Sequence, residues 1–300
     1  MSNNNEFHVR GFNILPLVTK NLLIINGLFF LATYALGRMN IDLIDILGLH
    51  FISAQKFHLY QFVTYMFMHG SFSHIFFNMF ALWMFGSALE NFWGAKRFLF
   101  YYFVTGVGAA VIHYLVVYIQ ISPDLQLLNT CIQDPTFANV SNLVSNHRFH
   151  LDAYSGEIWT QFQAFQQDFQ WLGAGVNIAD AQESISSFLI EYREHYLNLP
   201  NVVGASGAVF GLLLAFGMTF PNAVIYIYFL FPMKAKWFVI FYGVLELFSG
   251  VMGSNNGIAH FAHLGGMIFG IFLILYWRYK NKQRINRIRQ QYFVSDLLKI

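Results

Sequence analysis

Residues 201–216, NVVGASGAVFGLLLAF, set a Gly-x-Ser-Gly at the mouth of a run apolar enough to lie in a bilayer. A polar side chain inside a membrane is costly, and by default it marks a functional site. Nothing charged stands beside this serine in sequence, so its meaning depends on what else the chain places at the same depth. Composition makes the membrane setting firm. The 300 residues are 56% hydrophobic and 11% charged, whereas soluble domains carry about 25% charge. The lone Cys131 excludes an intrachain disulfide and a cysteine metal cluster. The N-terminus lacks a short apolar core followed by a small-residue cleavage site, so the first apolar run reads as a retained span.

A spanning helix takes about 20 apolar residues. Working outward from 201–216, six such stretches emerge at roughly 21–37, 73–90, 98–118, 203–220, 237–252 and 258–277. The fold class expected is all-α, a polytopic bundle of six transmembrane helices, because only helices and closed barrels satisfy their backbone in lipid. Basic residues set the orientation. With both termini cytoplasmic, thirteen of the 17 Lys and Arg fall inside and four (Arg38, Lys56, Arg148, Arg193) outside. The expected location is an integral, multi-pass position in a bacterial inner membrane. The resulting plan is a cytoplasmic segment 1–20, helices one to three over 21–118 with an interfacial loop at 38–72, an extracytoplasmic insertion 119–200, helices four to six over 201–278, and a basic cytoplasmic tail 279–300.

On this topology helices two, four and six all start on the outer side and run inward. Their first turns share one depth. Helix two brings His69, His74 and Asn78; helix four brings Gly204, Ala205, Ser206 and Gly207; helix six brings His260 and His263. His74 and Asn78 are four apart and project from one helix face. Gly207 with Gly211, and Gly266 with Gly270, are Gly-x3-Gly pairs that let two backbones approach closely. Contact between these helices would set His263 beside Ser206, and a serine hydroxyl needs such a base to become a nucleophile. Backbone N–H groups of Ala205 and Ser206 at the helix start, with side-chain donors from His74 and Asn78, would form an oxyanion hole. No Asp or Glu is near these residues in sequence, so a Ser/His dyad is expected rather than a triad. His113 and Glu246 read as isolated polar positions, satisfied inside the bundle.

His-x3-Asn on helix two, Gly-x-Ser-Gly on helix four and Ala-His-x2-Gly-x3-Gly on helix six, in this order and topology, resemble the rhomboid family of intramembrane serine proteases. The resemblance covers about residues 15–280 apart from the insertion. It implies Ser206 as nucleophile, His263 as base, and an oxyanion hole of His74, Asn78 and the Ser206 backbone. It also implies Phe210 stacked on the catalytic imidazole and His69 fixing the loop before helix two. Substrates would be single-pass transmembrane proteins, cut within or beside the lipid bilayer and entering past helix five, where Trp237, Phe238, Phe241 and Tyr242 are bulky. No cofactor, metal or nucleic acid is expected. The chain departs from the family at Tyr60-Gln61, where Trp-Arg is common, and in its insertion.

The insertion carries nine acidic and two basic residues, consistent with the outer side. Phe162, Phe165, Phe169 and Leu172, and then Ile185, Phe188, Leu189, Tyr192 and Tyr196, repeat at helical spacing and predict two amphipathic helices. Capping the bundle, lying in the outer interface, binding a partner and gating substrate all stay open for them, with packing on the bundle's own outer surface as the first expectation. The tail WRYKNKQRINRIRQQ reads as a helix on anionic headgroups. A different class of protein remains open from these residues: His69, His74, His260 and His263 as ligands of a transition metal in a transporter or metalloprotease. It lacks a His-Glu-x2-His and leaves the Gly-x-Ser-Gly unexplained. A rhomboid-like chain that only binds membrane segments would normally have lost the serine or the histidine, and both are present.

Overall fold

The computed structural model describes residues 11–152, 154–227, 230–252 and 260–297. The first ten residues, positions 258–259 of the sixth expected span and the last three residues lie outside this set. In chain order the elements are α1 (Leu17–Gly37), α2 (Leu43–Leu47), β1 (Leu49–His50), α3 (Gln61–Thr64), a single tight turn at Tyr65–Phe67, α4 (Phe72–Ala81), a wide π turn at Leu82–Gly86, α5 (Ser87–Trp93), α6 (Ala95–Gln133), α7 (Phe137–Asn146), α8 (Glu157–Ala174), α9 (Ile178–Asn198), β2 (Asn201–Val202), α10 (Ser206–Thr219), β3 (Val224–Ile227), β4 (Phe231–Lys234), α11 (Ala235–Val251) and α12 (His260–Leu297).

The chain is a mostly helical polytopic bundle. Each of the six expected spans coincides with helix over most of its described residues. Among the described residues, however, only four are long and apolar enough to cross a membrane: Leu17–Gly37, Phe72–Trp93, Ala95–Gln133 and His260–Arg287. Helix α10 has 14 residues and α11 has 17. The fourth and fifth expected spans are therefore helical but shorter than that measure. At 1.5 Å per residue α10 is about 21 Å long, short of the roughly 30 Å hydrocarbon core. Its first residue, Ser206, therefore need not sit at a membrane surface. Large exposed apolar side chains run along the helices, among them Leu28, Phe77, Ile240, Phe248 and Phe272, as suits surfaces solvated by lipid rather than water.

Two compact units divide the described residues: those within 1–47, 62–113 and 203–300 form one, and those within 48–61 and 114–202 the other. In the first unit α10 is the central rod, with Leu212, Leu213, Leu214 and Ala215 all buried. Small residues set its neighbours. A Cβ at Gly266 of α12 would collide with the Gly207 carbonyl, and one at Gly207 with Ala109 of α6. Gly211 faces Thr105 and Gly270 faces the Tyr101 hydroxyl, both on α6. The two Gly-x3-Gly pairs thus act in part on each other and in part on α6.

The start of α1 is held by a carboxylate. Glu90 of α5, 5% exposed, accepts hydrogen bonds from the backbone N–H of Val18 (2.9 Å) and Thr19 (2.8 Å) and from the Thr19 hydroxyl. It satisfies first-turn donors that have no partner within the helix and lies at the positive end of the helix dipole. Arg97, at the start of α6, stacks 3.9 Å over the Trp277 ring of α12, a cation–π contact.

The second unit has its own core. Val140, Leu143, Phe165, Leu172, Ile185, Phe188, Leu189 and Tyr192 close on one another with Leu128 and Cys131. The predicted amphipathic helices are α8 and α9, and their apolar faces are buried within this unit. A polar chain crosses it: Tyr196 donates to Asp124 (2.7 Å), Asp124 meets His147 Nδ1 (3.1 Å), and His147 Nε2 meets the Tyr192 hydroxyl (2.8 Å). Burial raises the Tyr192 hydroxyl to a pKa of about 12. Helix α6, with 39 residues, is about 58 Å long, nearly twice the hydrocarbon thickness, and its last turns belong here. So does the loop at 48–61. There Gln61 is fully buried, accepts from the N–H of His50 (3.3 Å) and His58 (3.1 Å), and donates to Lys56 O (2.9 Å). β1 pairs antiparallel with β2, Leu49 opposite Val202.

Candidate active site

Ser206 is the first residue of α10, and what precedes it keeps its surroundings open. Gly204 holds φ +127°, and its N–H donates to Tyr65 O at 2.9 Å. A side chain is strained at this φ, and it would also strike His74: a Cβ there would lie 2.7 Å from His74 Nε2 and 3.6 Å from Ser206 Oγ. The glycine therefore leaves a small space bounded by the imidazole and the hydroxyl. Ala205 at the N-cap offers no side-chain acceptor, so first-turn N–H groups of α10 remain for whatever occupies that space.

His74 and Asn78 come from α4. Ser71 caps that helix by accepting from the His74 N–H at 3.2 Å, which fixes the first turn on which His74 rides. Asn78 is buried one turn later, on the same face, and α4 packs against α10. His69 is buried with its Nδ1 3.4 Å from Phe67 O and its ring edge-on to His74 at 4.9 Å. Burial, and then the charge of His74, lowers its pKa to about 4. It is a neutral group at ordinary pH.

From α12, His263 brings Nε2 to 2.8 Å from Ser206 Oγ. Phe210, one turn below Ser206, lies flat on the imidazole, with ring centroids 4.2 Å apart and planes 6° from parallel. The close approach of Gly266 to Gly207 makes this meeting possible.

The far side of the ring holds what sequence reasoning missed. His263 Nδ1 is 2.8 Å from Glu246 Oε2 of α11. The same oxygen is 2.8 Å from His260 Nδ1. The expectation that no carboxylate attends the histidine, and that Glu246 is a lone bundle residue, is corrected. Its signal was weak, since Glu246 is 17 residues from His263 on a different helix. What marks it is a carboxylate in the apolar middle of its helix, ten residues from Lys236, the other charged side chain there, so that its partner comes from another helix. A carboxylate can only accept, so both Nδ1 atoms donate. His263 must then present an unprotonated Nε2 to the Ser206 hydroxyl, the tautomer that can take its proton.

The four histidines considered as metal ligands do not come together as one set. Among the described residues, Glu246, His260 and His263 do, their ligand atoms all within 4.8 Å of one another.

The Rhomboid domain matches this chain over residues 56–120 and 173–280, more than half of its length. The two matched stretches include all the residues above and leave out most of α7 and α8. Among known proteins, Rhomboid-like protein 15 of Arabidopsis thaliana is 31% identical over 105 residues, 35% of this chain and 26% of the relative. The match thus spans about a quarter of the length of that protein.

Proposed function

The chain belongs to the rhomboid family, and on that premise we propose that it is an intramembrane serine endopeptidase acting on transmembrane segments. The observation that carries this reading is the 2.8 Å contact between Ser206 Oγ and His263 Nε2, made at the first turn of a short buried helix. Ser206 Oγ attacks the scissile carbonyl while its proton passes to His263 Nε2. Glu246 holds Nδ1–H and stabilises the imidazolium that forms, so the working unit is Ser206–His263–Glu246 rather than a dyad. The oxyanion develops in the space left by Gly204, facing the N–H groups of Ala205 and Ser206 and the side chains of His74 and Asn78. His263 then gives its proton to the leaving amine, and water hydrolyses the acyl-enzyme by the same route in reverse.

A client helix must unwind locally, since its hydrogen-bonded backbone hides the scissile carbonyl. Single-pass proteins with helix-destabilising residues near the cut fit this need. Lateral entry past α11 is supported by the exposure of Trp237 and Phe241 and by Tyr242, which reaches Phe210 at 6.5 Å. The positive-inside distribution supports cytoplasmic termini. The test is a model transmembrane substrate reconstituted with the protein in vesicles. Cleavage inside the segment by wild type and none by Ser206→Ala is the expected outcome; uncut substrate with both would refute the proposal.

A further inference from the structure

Glu246 Oε2 is shared by two imidazoles, and that sharing gives the site a second chemistry. His260 and His263 are three apart at the start of α12, so their rings leave one helix face together. Both direct Nδ1 to the same carboxylate oxygen at 2.8 Å. One carboxylate and two imidazole nitrogens are a donor set typical of zinc. We propose that Glu246, His260 and His263 form an inhibitory binding site for a divalent d-block cation such as Zn2+. This rests on the reading of His263 as the catalytic base.

The geometry needs the two imidazole nitrogens to close by roughly an ångström and the carboxylate to move less. Ligands about 2.0–2.1 Å from a tetrahedral zinc stand about 3.4 Å apart, and these atoms are within 4.8 Å of each other, with the carboxylate now closer because it accepts hydrogen bonds instead. The carboxylate recedes by about half an ångström and the cation takes the place of the two Nδ1 protons. The group is partly buried, with side chains 11%, 13% and 8% exposed for His260, Glu246 and His263. A tetrahedral cation held by these three side chains would take water as its fourth ligand. The outer contact of a metal-bound histidine is also in place, because the other ring nitrogen normally donates to an acceptor. Here that nitrogen is His263 Nε2, and the acceptor is Ser206 Oγ at 2.8 Å.

The inhibition follows from proton placement. In the active form His263 carries its proton on Nδ1 and offers the Nε2 lone pair to Ser206. A cation on Nδ1 requires the lone pair there, so the proton moves to Nε2 and the imidazole stays neutral overall. His260 makes the same exchange. His263 then donates to the serine instead of accepting from it and can no longer act as base. The imidazole can bind the metal at one nitrogen or take the Ser206 proton at the other, but not both. Protein and metal therefore define an off state that needs no change of fold.

The experiment uses the full chain in lipid nanodiscs, with a fluorophosphonate labelling rate at Ser206 and a Co2+ absorption titration as separate readouts. Buffered Zn2+ is expected to slow labelling of wild type at least ten-fold, reversibly with EDTA. In His260→Ala the concentration for half-inhibition should rise by at least ten-fold. Ser206→Ala should still give the visible spectrum of tetrahedral Co2+, and Glu246→Gln should weaken it. Equal Zn2+ sensitivity in wild type and His260→Ala, or a Co2+ spectrum indifferent to both His260 and Glu246, would overturn the site. Absence of labelling in EDTA would instead count against the protease reading, and the Co2+ titration would still decide the metal site.

Discussion

At the scale of single residues, the account turns on how three side chains from three helices share protons. Ser206 and His263 were legible because each sits in a short pattern of small residues, and the patterns fall at one depth. Glu246 was not, because a carboxylate contributes by position in space and its sequence neighbours say nothing about its partner. It provides the sharper test. Glu246→Gln keeps the volume and removes the charge that fixes the tautomer, so kcat for a model substrate should fall by up to roughly ten-thousand-fold with KM little changed. Glu246→Asp should recover part of the loss, which a purely structural role would not require. Asn78→Ala removes one oxyanion donor among several. A loss of about 2.7–4 kcal/mol in transition-state stabilisation, read from kcat, is expected if that donor acts alone, and residual turnover above Ser206→Ala shows that the others still act.

At the scale of elements, the glycines decide which helices touch. The sequence pattern implied that α10 and α12 approach through Gly207, Gly211, Gly266 and Gly270. The contact between Gly266 and Gly207 is as expected, yet Gly211 and Gly270 serve α6. Spacing along one helix identifies a smooth face without naming its partner, and a central helix has more than one neighbour. Gly266→Ala forces a methyl into the Gly207 carbonyl, where backbone cannot yield as a side chain can. Overpacking of this kind typically costs about 1–3 kcal/mol. The expected reading is a lower thermal midpoint together with slower labelling of Ser206, since the same contact sets the distance to His263. The capping of α1 by Glu90 was equally hidden from sequence, for it joins positions 71 and 72 residues apart.

At the scale of the whole molecule, composition alone carried the membrane assignment and the helical class, because 11% charge cannot solvate a globular surface of this size. Span position was more legible than span length, since apolarity alone does not distinguish a helix of full crossing length from a short buried one such as α10. The insertion was recognised by its periodicity, but its apolar faces turn inward to make a core of their own. Two cores predict two unfolding transitions, and Leu189→Ala, at a fully buried position, should lower one by about 2–5 kcal/mol while leaving Ser206 labelling in the folded state intact. The claim on which everything depends is that His263 activates Ser206 within the bundle. Mass spectrometry of membranes treated with a fluorophosphonate measures this most directly. The account predicts a single adduct on Ser206 in wild type that is lost in His263→Ala with folding retained. An adduct formed equally fast without His263, or none on Ser206 in folded wild type, would contradict it.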